Sequence, residues 1–494
     1  VPTPRVTVIG AGAGGLAAAI DLARQGAAVT VLERAPTPGG KIRQQRGIDA
    51  GPTVFTMRWV FESLFADAGT ALDAHITLHA LDLLARHAWS AGETLDLFAS
   101  IDRSSDAIGA FAGPAEAAGY RSFCTRAQRV YRTLEAPFIR APRPSALSLA
   151  GGAGLRGLTD LWGVSPFSTL WRALGEHFRD PRLQQLFGRY ATYSGASPFQ
   201  APATLMLIAH VEQQGVWAVQ GGMIRLAEAM AGLATRQGAV VRYSAPVAEI
   251  LVQNRRAAGV RLASGERIEA DAVIANSDFA ALSAGLFGAA VSGSVPRAHP
   301  ADRSLSAITW TLSAVTGGFP LARHNVFFSR DYAAEFAAIV RHRRLPAQPT
   351  VYVCAQDRGE PGAQPDGSAE RLLVLVNAPA TGDRQAFTPA EIEPCATATF
   401  DLLARCGLTM ARPPETTAVT TPAGFAALFP ATGGALYGQA VHGAMAAFRR
   451  PGSRSAVPGL YLAGGSVHPG PGVPMAVLSG RLAAASLLAD LTSA

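Results

Sequence analysis

Charge is scarce in this chain and lysine is nearly absent. Asp, Glu, Lys and Arg make up only 16% of its 494 residues, against 49% hydrophobic, an apolar balance for a protein of this length. Lys41 is the sole lysine, so almost every cation is an arginine. The four cysteines, Cys124, Cys354, Cys395 and Cys406, are scattered without Cys-x-x-Cys spacing. That argues against a disulfide framework and predicts reduced thiols in a cytoplasmic compartment. Basic runs interleaved with aromatics are lacking, so nucleic acid is not an expected partner, and spacing picks out no metal-ligand cluster and no nucleophilic triad. The chain also lacks an uninterrupted apolar run of membrane-spanning length: 203–211 is too short, and 476–491 is broken by Ser479, Gly480 and Arg481. Both stretches read as buried core helices. Residues 1–5 lead directly into an apolar strand, which predicts no signal peptide and a cytoplasmic-side protein. The net charge of +7 suits at most a superficial contact with anionic lipid head groups. A length of 494 residues predicts two or three domains.

What is present begins at once. Residues 5–9 read as a buried strand that runs into Gly10-Ala11-Gly12-Ala13-Gly14-Gly15 and then an alanine-rich helix over 16–25. Gly10 permits a tight turn, Gly12 lets a pyrophosphate approach the backbone, and Gly15 with Ala19 lets the helix pack close to the strand. The helix N-terminus then faces the phosphates. A second strand, 29–32, ends in Glu33, where a carboxylate accepts both ribose hydroxyls of an adenosine. Glu33 would repel a 2′-phosphate, which disfavours NADP and leaves NAD and FAD open.

The next residues separate these. Glu33-Arg34, then Thr37-Pro38-Gly39-Gly40-Lys41-Ile42-Arg43 and Asp49-Ala50-Gly51-Pro52-Thr53, resemble the segment lying along the flavin nucleotide in glutathione-reductase-like FAD proteins. The resemblance implies that Gly39 and Gly40 bring backbone near the pyrophosphate and that Lys41 and Arg43 offset its charge. Gly221-Gly222-Met223 precedes an amphipathic helix over 224–235, with strands near 240–243, 247–252, 260–262 and 270–276. In the same proteins the counterpart of Val247 meets the adenine through its backbone, and the 272–275 strand rejoins the parallel sheet. The last signal is a strand ending in Gly464-Gly465-Ser466, then Val467-His468-Pro469-Gly470-Pro471-Gly472-Val473-Pro474, and a helix from Met475 to about 491. A helix N-terminus there places positive partial charge near the flavin N1 and C2 carbonyl, which favours the reduced anionic flavin.

The order of these motifs resembles the phytoene-desaturase-like family of bacterial carotenoid desaturases, over essentially the whole chain. Residues 49–58 (DAGPTVFTMR), 433–438 (GGALYG) and 466–475 look most like the branch that desaturates 1-hydroxylated carotenoids, such as 1-hydroxyneurosporene, at the 3,4 bond in purple phototrophs. Phytoene-acting members read HPGAGIPG where this chain reads HPGPGVPM from His468. The resemblance implies an α/β fold: a Rossmann-like FAD-binding domain of glutathione-reductase type, a mixed-sheet substrate domain and a helical lid. The expected division is FAD-binding over 1–69, 216–290 and 441–494, a helical lid and membrane-facing insertion over 70–215, and a substrate domain over 291–440.

The intervening segments suit an apolar substrate. Helices expected over 120–134, 168–178 and 181–193 carry Trp162, Phe167, Trp171, Phe178, Phe187, Tyr190 and Tyr193 as core or as tunnel wall. Residues 332–345, ending in Arg341-His342-Arg343-Arg344, read either as an amphipathic helix at the lipid head groups or as a solvated basic turn. Strands are expected over 304–311, 350–354 and 371–377, and exposed loops over 357–367 and 412–421. The implied chemistry is hydride transfer to flavin N5, with oxygen or a membrane quinone as final acceptor. His468 is either a base or a structural hydrogen-bonding residue, and no catalytic side chain is fixed. Competing readings are a phytoene desaturase, a flavin-dependent carotenoid isomerase, an amine or porphyrinogen oxidase of the same fold, and a carrier of prenyl lipids. The implied protein sits peripherally on the cytoplasmic face of the inner membrane.

Overall fold

A computed structural model describes residues 3–142, 168–359, 367–411, 414–443 and 446–493. Trp162, Phe167 and most of the 357–367 loop lie outside the described residues. Five parallel strands form one sheet in the order Leu460–Leu462, Ala272–Ala275, Arg5–Ile9, Ala28–Leu32, Val240–Arg242. The central strands read as continuous apolar runs rather than as alternating ones because both faces of a parallel sheet are covered. The helix Ala13–Ala23 lies against this sheet with all its residues buried. That demands small side chains where other helices cross it, and the sequence supplies glycine and alanine.

Two helices far apart in sequence pack on this one: Ile224–Arg236 and the terminal helix Val473–Thr492. The terminal contact is backbone on backbone, since a Cβ at Gly480 would overlap the Gly14 carbonyl oxygen. Val473–Thr492 is long and apolar enough to cross a membrane, with a mean hydropathy of 1.3. Its Val477, Gly480, Ala483, Ala484 and Leu487 are nevertheless buried in this packing.

A second sheet of seven strands runs Thr417–Thr420, Ser306–Ala314, Glu370–Ala378, Val351–Ala355, His324–Phe327, Leu83–Ser90, Glu93–Phe98. It is antiparallel except between His324–Phe327 and Leu83–Ser90. Two features differ from the sequence reading. The 70–215 insertion is not helical throughout, because its Leu83–Ser90 and Glu93–Phe98 hairpin extends the seven-stranded sheet. The expected loop over 412–421 contains a strand, Thr417–Thr420, that pairs with Ser306–Ala314 at the sheet edge. The helical part of the insertion is built on Pro114–Leu134, which starts with proline at its first turn and buries Tyr120, Phe123, Ala127, Val130 and Tyr131 at helical spacing. It encloses a core with Phe178 and Phe187 and packs on Leu207–Gln213.

The 332–345 segment is also not a surface helix. It forms one α-helical stretch, Tyr332–Phe336, and a π-helical turn, Ala337–Arg341, with Tyr332, Phe336 and Ile339 buried against Leu305. Its apolar side is consumed inside the protein and cannot lie in lipid.

The Gly14–Gly480 contact yields a stability test. Gly480→Ala should cost about 1–3 kcal/mol by overpacking, whereas Gly92→Ala, where an added methyl meets nothing, should be close to neutral. Urea midpoints compare the two; equal shifts would contradict the packing described.

Candidate functional site

The glycine turn is closed by a residue that the motif does not contain. Gly10 has φ +96° and its amide donates to the Leu32 carbonyl at 2.8 Å. Asn276, just past the Ala272–Ala275 strand, inserts its side-chain amide into the turn and donates to the Gly10 carbonyl at 3.3 Å. A Cβ at Gly12, Gly14 or Gly464 would fall 2.9, 2.7 or 2.8 Å from that amide, and one at Gly15 would overlap the Gly10 carbonyl. Glycine is therefore required here by packing. The first turn of Ala13–Ala23 has no side-chain cap, which leaves its amides as donors.

The Gly39–Gly40 turn lies directly on this site. Gly39 pairs with Gly12 as a parallel bridge and its amide donates to the Ala11 carbonyl at 2.8 Å, while Gly40 is exposed with φ +60°. Glu33 is 6% exposed; its Oε2 accepts from the Ala11 amide at 2.7 Å and its Oε1 from the Ala35 amide at 2.8 Å. Each oxygen retains acceptor capacity for a further hydroxyl. Arg34 is exposed beside it. The Ala245 amide donates to the Glu33 carbonyl at 2.8 Å, which sets half-buried Val247, at the start of the Val247–Gln253 strand, near the same corner. Lys41 and Arg43, expected to offset phosphate charge, are turned elsewhere. Lys41 Nζ donates to the Leu436 carbonyl at 2.5 Å above the Phe429 ring, and Arg43 reaches Thr420 above Phe425. Burial lowers the pKa of Lys41 from the ordinary lysine value.

At the other end, Gly464 (φ +110°) donates to Ser479 Oγ at 3.2 Å, and Ser466 Oγ accepts from the Phe279 amide at 3.2 Å. Arg450, which sequence reasoning missed, ties three carbonyls together: Gly465 at 3.2 Å, Tyr437 at 3.1 Å and Gln439 at 2.6 Å. Burial pushes its pKa down to about 10. Asp49 acts as a latch: its Oδ2 accepts from the Met223 amide at 2.7 Å, and its backbone exchanges two hydrogen bonds with the Gln356 side chain, both at 2.9 Å. The 49–53 segment is thereby fixed between the two sheets. The terminal helix begins at Gly472 with no side-chain cap.

The 51–53 segment, Arg450 and the start of the terminal helix open on one cavity of about 440 Å3, bordered also by Met57 and Tyr437. Its wall is mostly apolar, with Phe138, Ile139, Leu207, Ile208, Val211, Val326, Leu373, Leu375 and Phe448. His468 does not join this lining. Its Nε2 donates to the Ala141 carbonyl at 2.9 Å, its ring meets Phe138 edge-on, and burial lowers its pKa to about 4. The geometry makes it a tether for the segment after the Glu135–Ile139 turn.

A polar stretch interrupts the apolar wall. Tyr352 OH bonds Thr53 Oγ1 at 2.8 Å and His324 Nδ1 at 2.7 Å, and Arg189, Tyr193 and Glu212 line the same cavity. Behind Thr350, Glu335 Oε2 accepts from Thr350 at 2.7 Å and Ser329 at 2.9 Å, and burial raises Glu335 to about 7.

A glycine turn at a parallel sheet, a buried carboxylate with free lone pairs and an uncapped terminal helix beside an apolar cavity suit a dinucleotide cofactor, and the chain is a flavin-dependent oxidoreductase. The model of the flavin-containing amine oxidoreductase family matches residues 13–488. A hydroxyneurosporene desaturase of Rubrivivax gelatinosus is 56% identical over 99% of this chain and 94% of its own length, and one of Cereibacter sphaeroides is 48% identical over 99% and 98%. A putrescine oxidase solved with putrescine shares the fold, with a TM-score of 0.60 and 17% identity over 99% of this chain and 100% of that one. The chain belongs to the flavin-containing amine oxidoreductases, and within them to the phytoene-desaturase-like carotenoid desaturases. Its cofactor is FAD. The residues fit that group: two helix N-termini lack side-chain caps, and Glu33 keeps lone pairs for ribose.

Glu335 gives a pH test. Its folded pKa of about 7 lies above the unfolded carboxylate value. The stability it contributes is full below about pH 4.5 and is lost as pH rises towards 7, by up to ~3 kcal/mol. The buried histidines titrate with the opposite sign, so the difference between Glu335→Gln and parent isolates it. That difference should favour the variant increasingly from pH 4.5 to 7; a pH-independent difference would contradict it.

Proposed function

We propose that the protein desaturates acyclic 1-hydroxylated carotenoids, such as 1-hydroxyneurosporene, at the C-3,4 bond. The observation that carries this reading is the mostly apolar cavity whose lining includes Thr53 and the start of the terminal helix. It is a sleeve suited to a polyene, and the relatives named above are hydroxyneurosporene desaturases. An amine substrate is poorly matched. Glu212, the acidic residue of the described lining, is engaged by two tyrosine hydroxyls.

In this reading Gly10, Gly12, Gly14, Gly15 and Gly40 let backbone approach the pyrophosphate, and Glu33, with Arg34 beside it, holds the adenosine ribose. Val247 meets the adenine. Gly465, Ser466, Val473, Pro474 and Met475 frame the flavin ring, and Lys41 supports the neighbouring 429–436 segment. FAD when bound supplies the acceptor for the hydride removed from the substrate. The protein's part is alignment and exclusion of water: the cavity walls hold the reacting carbons in register and the uncapped helix N-terminus favours negative charge beside it. Conjugation stabilises the carbon left electron-poor, so the adjacent proton needs only a weak acceptor such as water. No side chain is assigned as a base. The substrate resides in the bilayer, which places the working protein peripherally on the cytoplasmic face of the inner membrane, with oxygen or a quinone as final electron acceptor.

FAD-loaded protein given 1-hydroxyneurosporene and phytoene separately in liposomes, with oxygen or a quinone, should convert the hydroxylated substrate to a product two hydrogens lighter and red-shifted. Turnover of phytoene alone would overturn the branch, and an unchanged mass with an altered spectrum would indicate isomerisation. Glu33→Ala should weaken FAD binding by about tenfold or more, measured by fluorescence titration; unchanged affinity would remove Glu33 from the site.

A further inference from the structure

The polar stretch of the cavity wall is more than a break in an apolar surface, because its hydrogen bonding is incomplete. His87, Val326 and Tyr352 stand side by side across three strands, and His324 lies two residues from Val326 on the same strand. Side chains in one row, or two residues apart on one strand, share a face of the sheet. Val326 and Tyr352 line the cavity, and the two histidines, which are outside its lining, share the sheet face that walls it. Arg189 lines the same cavity. His87 is 0% exposed, His324 3% and Arg189 8%.

Three nitrogens here are buried without partners: His87 Nε2, His324 Nε2 and Arg189 Nε. His87 Nδ1 lies 3.1 Å from the Leu95 carbonyl and must donate to it. Its Nε2 is then an acceptor that lacks a donor. Arg189 Nε–H is a donor that lacks an acceptor. Of the three residues only Arg189 lines the cavity, and its unpaired Nε–H calls for a ligand group, or a water, that accepts.

The charges specify a neutral group. Arg189 Nη1 donates to Tyr193 OH at 3.0 Å, and Tyr193 OH donates to Glu212 Oε1 at 2.7 Å, with Tyr190 OH on Glu212 Oε2 at 2.8 Å. This relay balances the guanidinium with a carboxylate, so an anionic ligand would bring an uncompensated charge into an apolar site. An alcohol would not.

We propose that Arg189, held by Tyr193 and Glu212, is a specificity-determining residue that hydrogen-bonds the hydroxyl oxygen of a carotenoid end group, with His87 and His324 on the sheet face that walls the cavity. The proposal rests on the desaturase reading above and deepens it. An oxygen on C1 lies only two carbons from C3, so the niche that holds it must adjoin the place where the 3,4 bond reacts. The hydrogen-bonded chain from His324 through Tyr352 to Thr53 makes that connection, because Thr53 belongs to the segment latched between the sheets by Asp49.

The test compares kcat/KM for 1-hydroxyneurosporene and neurosporene, delivered in the same liposomes, in the parent and in Arg189→Met. The parent should prefer the hydroxylated substrate by about a hundredfold or more, since a site built to bond a hydroxyl rejects the analogue lacking it. Arg189→Met should lower that ratio at least about thirtyfold, chiefly through loss on the hydroxylated substrate, with FAD content unchanged. Should Arg189→Met not retain FAD, Arg189→Lys and Tyr193→Phe carry the same measurement, each with a smaller fall in the ratio. An unchanged ratio in variants that retain FAD would overturn the proposal and leave the niche as a site for bound water. Failure of the parent to convert either carotenoid would overturn the desaturase reading, and the proposal with it.

Discussion

The side-chain amide of Asn276 occupies the space that glycines at 10, 12, 14, 15 and 464 leave open, and the cofactor-binding half of the molecule is organised around that contact. It joins the ends of three parallel strands contributed by residues 5–9, 272–275 and 460–462. With these strand ends gathered, the helix Ala13–Ala23 and the terminal helix Val473–Thr492 cross at Gly14 and Gly480, backbone against backbone. Larger residues at these positions would separate the helices. The cost of this arrangement is a set of positions where only glycine fits; the benefit is two helix N-termini with no side-chain caps.

The second constraint is the burial of polar groups in an apolar cavity. Arg450 sits buried among three carbonyls, Asp49 is bonded to Met223 and Gln356, and Glu212 is held by two tyrosines. Arg450 holds the Tyr437 backbone and Glu212 the Tyr193 hydroxyl at the cavity, and Asp49 anchors the segment that leads to Gly51, Pro52 and Thr53 in its lining. Buried polar groups cost least when fully paired. The partly unpaired set at His87, His324 and Arg189 therefore stands apart from the others.

Much of the candidate cofactor site's backbone geometry was legible because its constraints are local. The spacing from Gly10 to Gly15, the strand ending at Glu33 and the glycines before the terminal helix each encode a backbone requirement within a few residues. Asn276 and Arg450 were not legible, because their roles are to join segments hundreds of residues apart and neither belongs to a periodic pattern. The Leu83–Ser90 and Glu93–Phe98 strands were missed because they sit inside a segment whose helical periodicity is otherwise strong. Residues 332–345 stayed ambiguous for the converse reason: an apolar stretch ending in a basic cluster reads the same whether its apolar side meets lipid or, as here, Leu305 and Phe199, with Arg341, His342 and Arg344 exposed. The relay of Arg189, Tyr193 and Glu212 was visible only in part, since Tyr190 and Tyr193 read as aromatic core while their hydroxyls hold a carboxylate.

The central claim is that these distant segments build one FAD site that takes two electrons from a carotenoid aligned in the adjoining cavity. Anaerobic single turnover tests it most directly: FAD-loaded protein is mixed with excess 1-hydroxyneurosporene without oxygen or quinone, and product is counted by mass. The account predicts one molecule of the two-hydrogen-poorer product for each bound FAD, and no more until an acceptor is added. Product accumulating well beyond one per FAD without an acceptor, or only an isomer of unchanged mass, would contradict it.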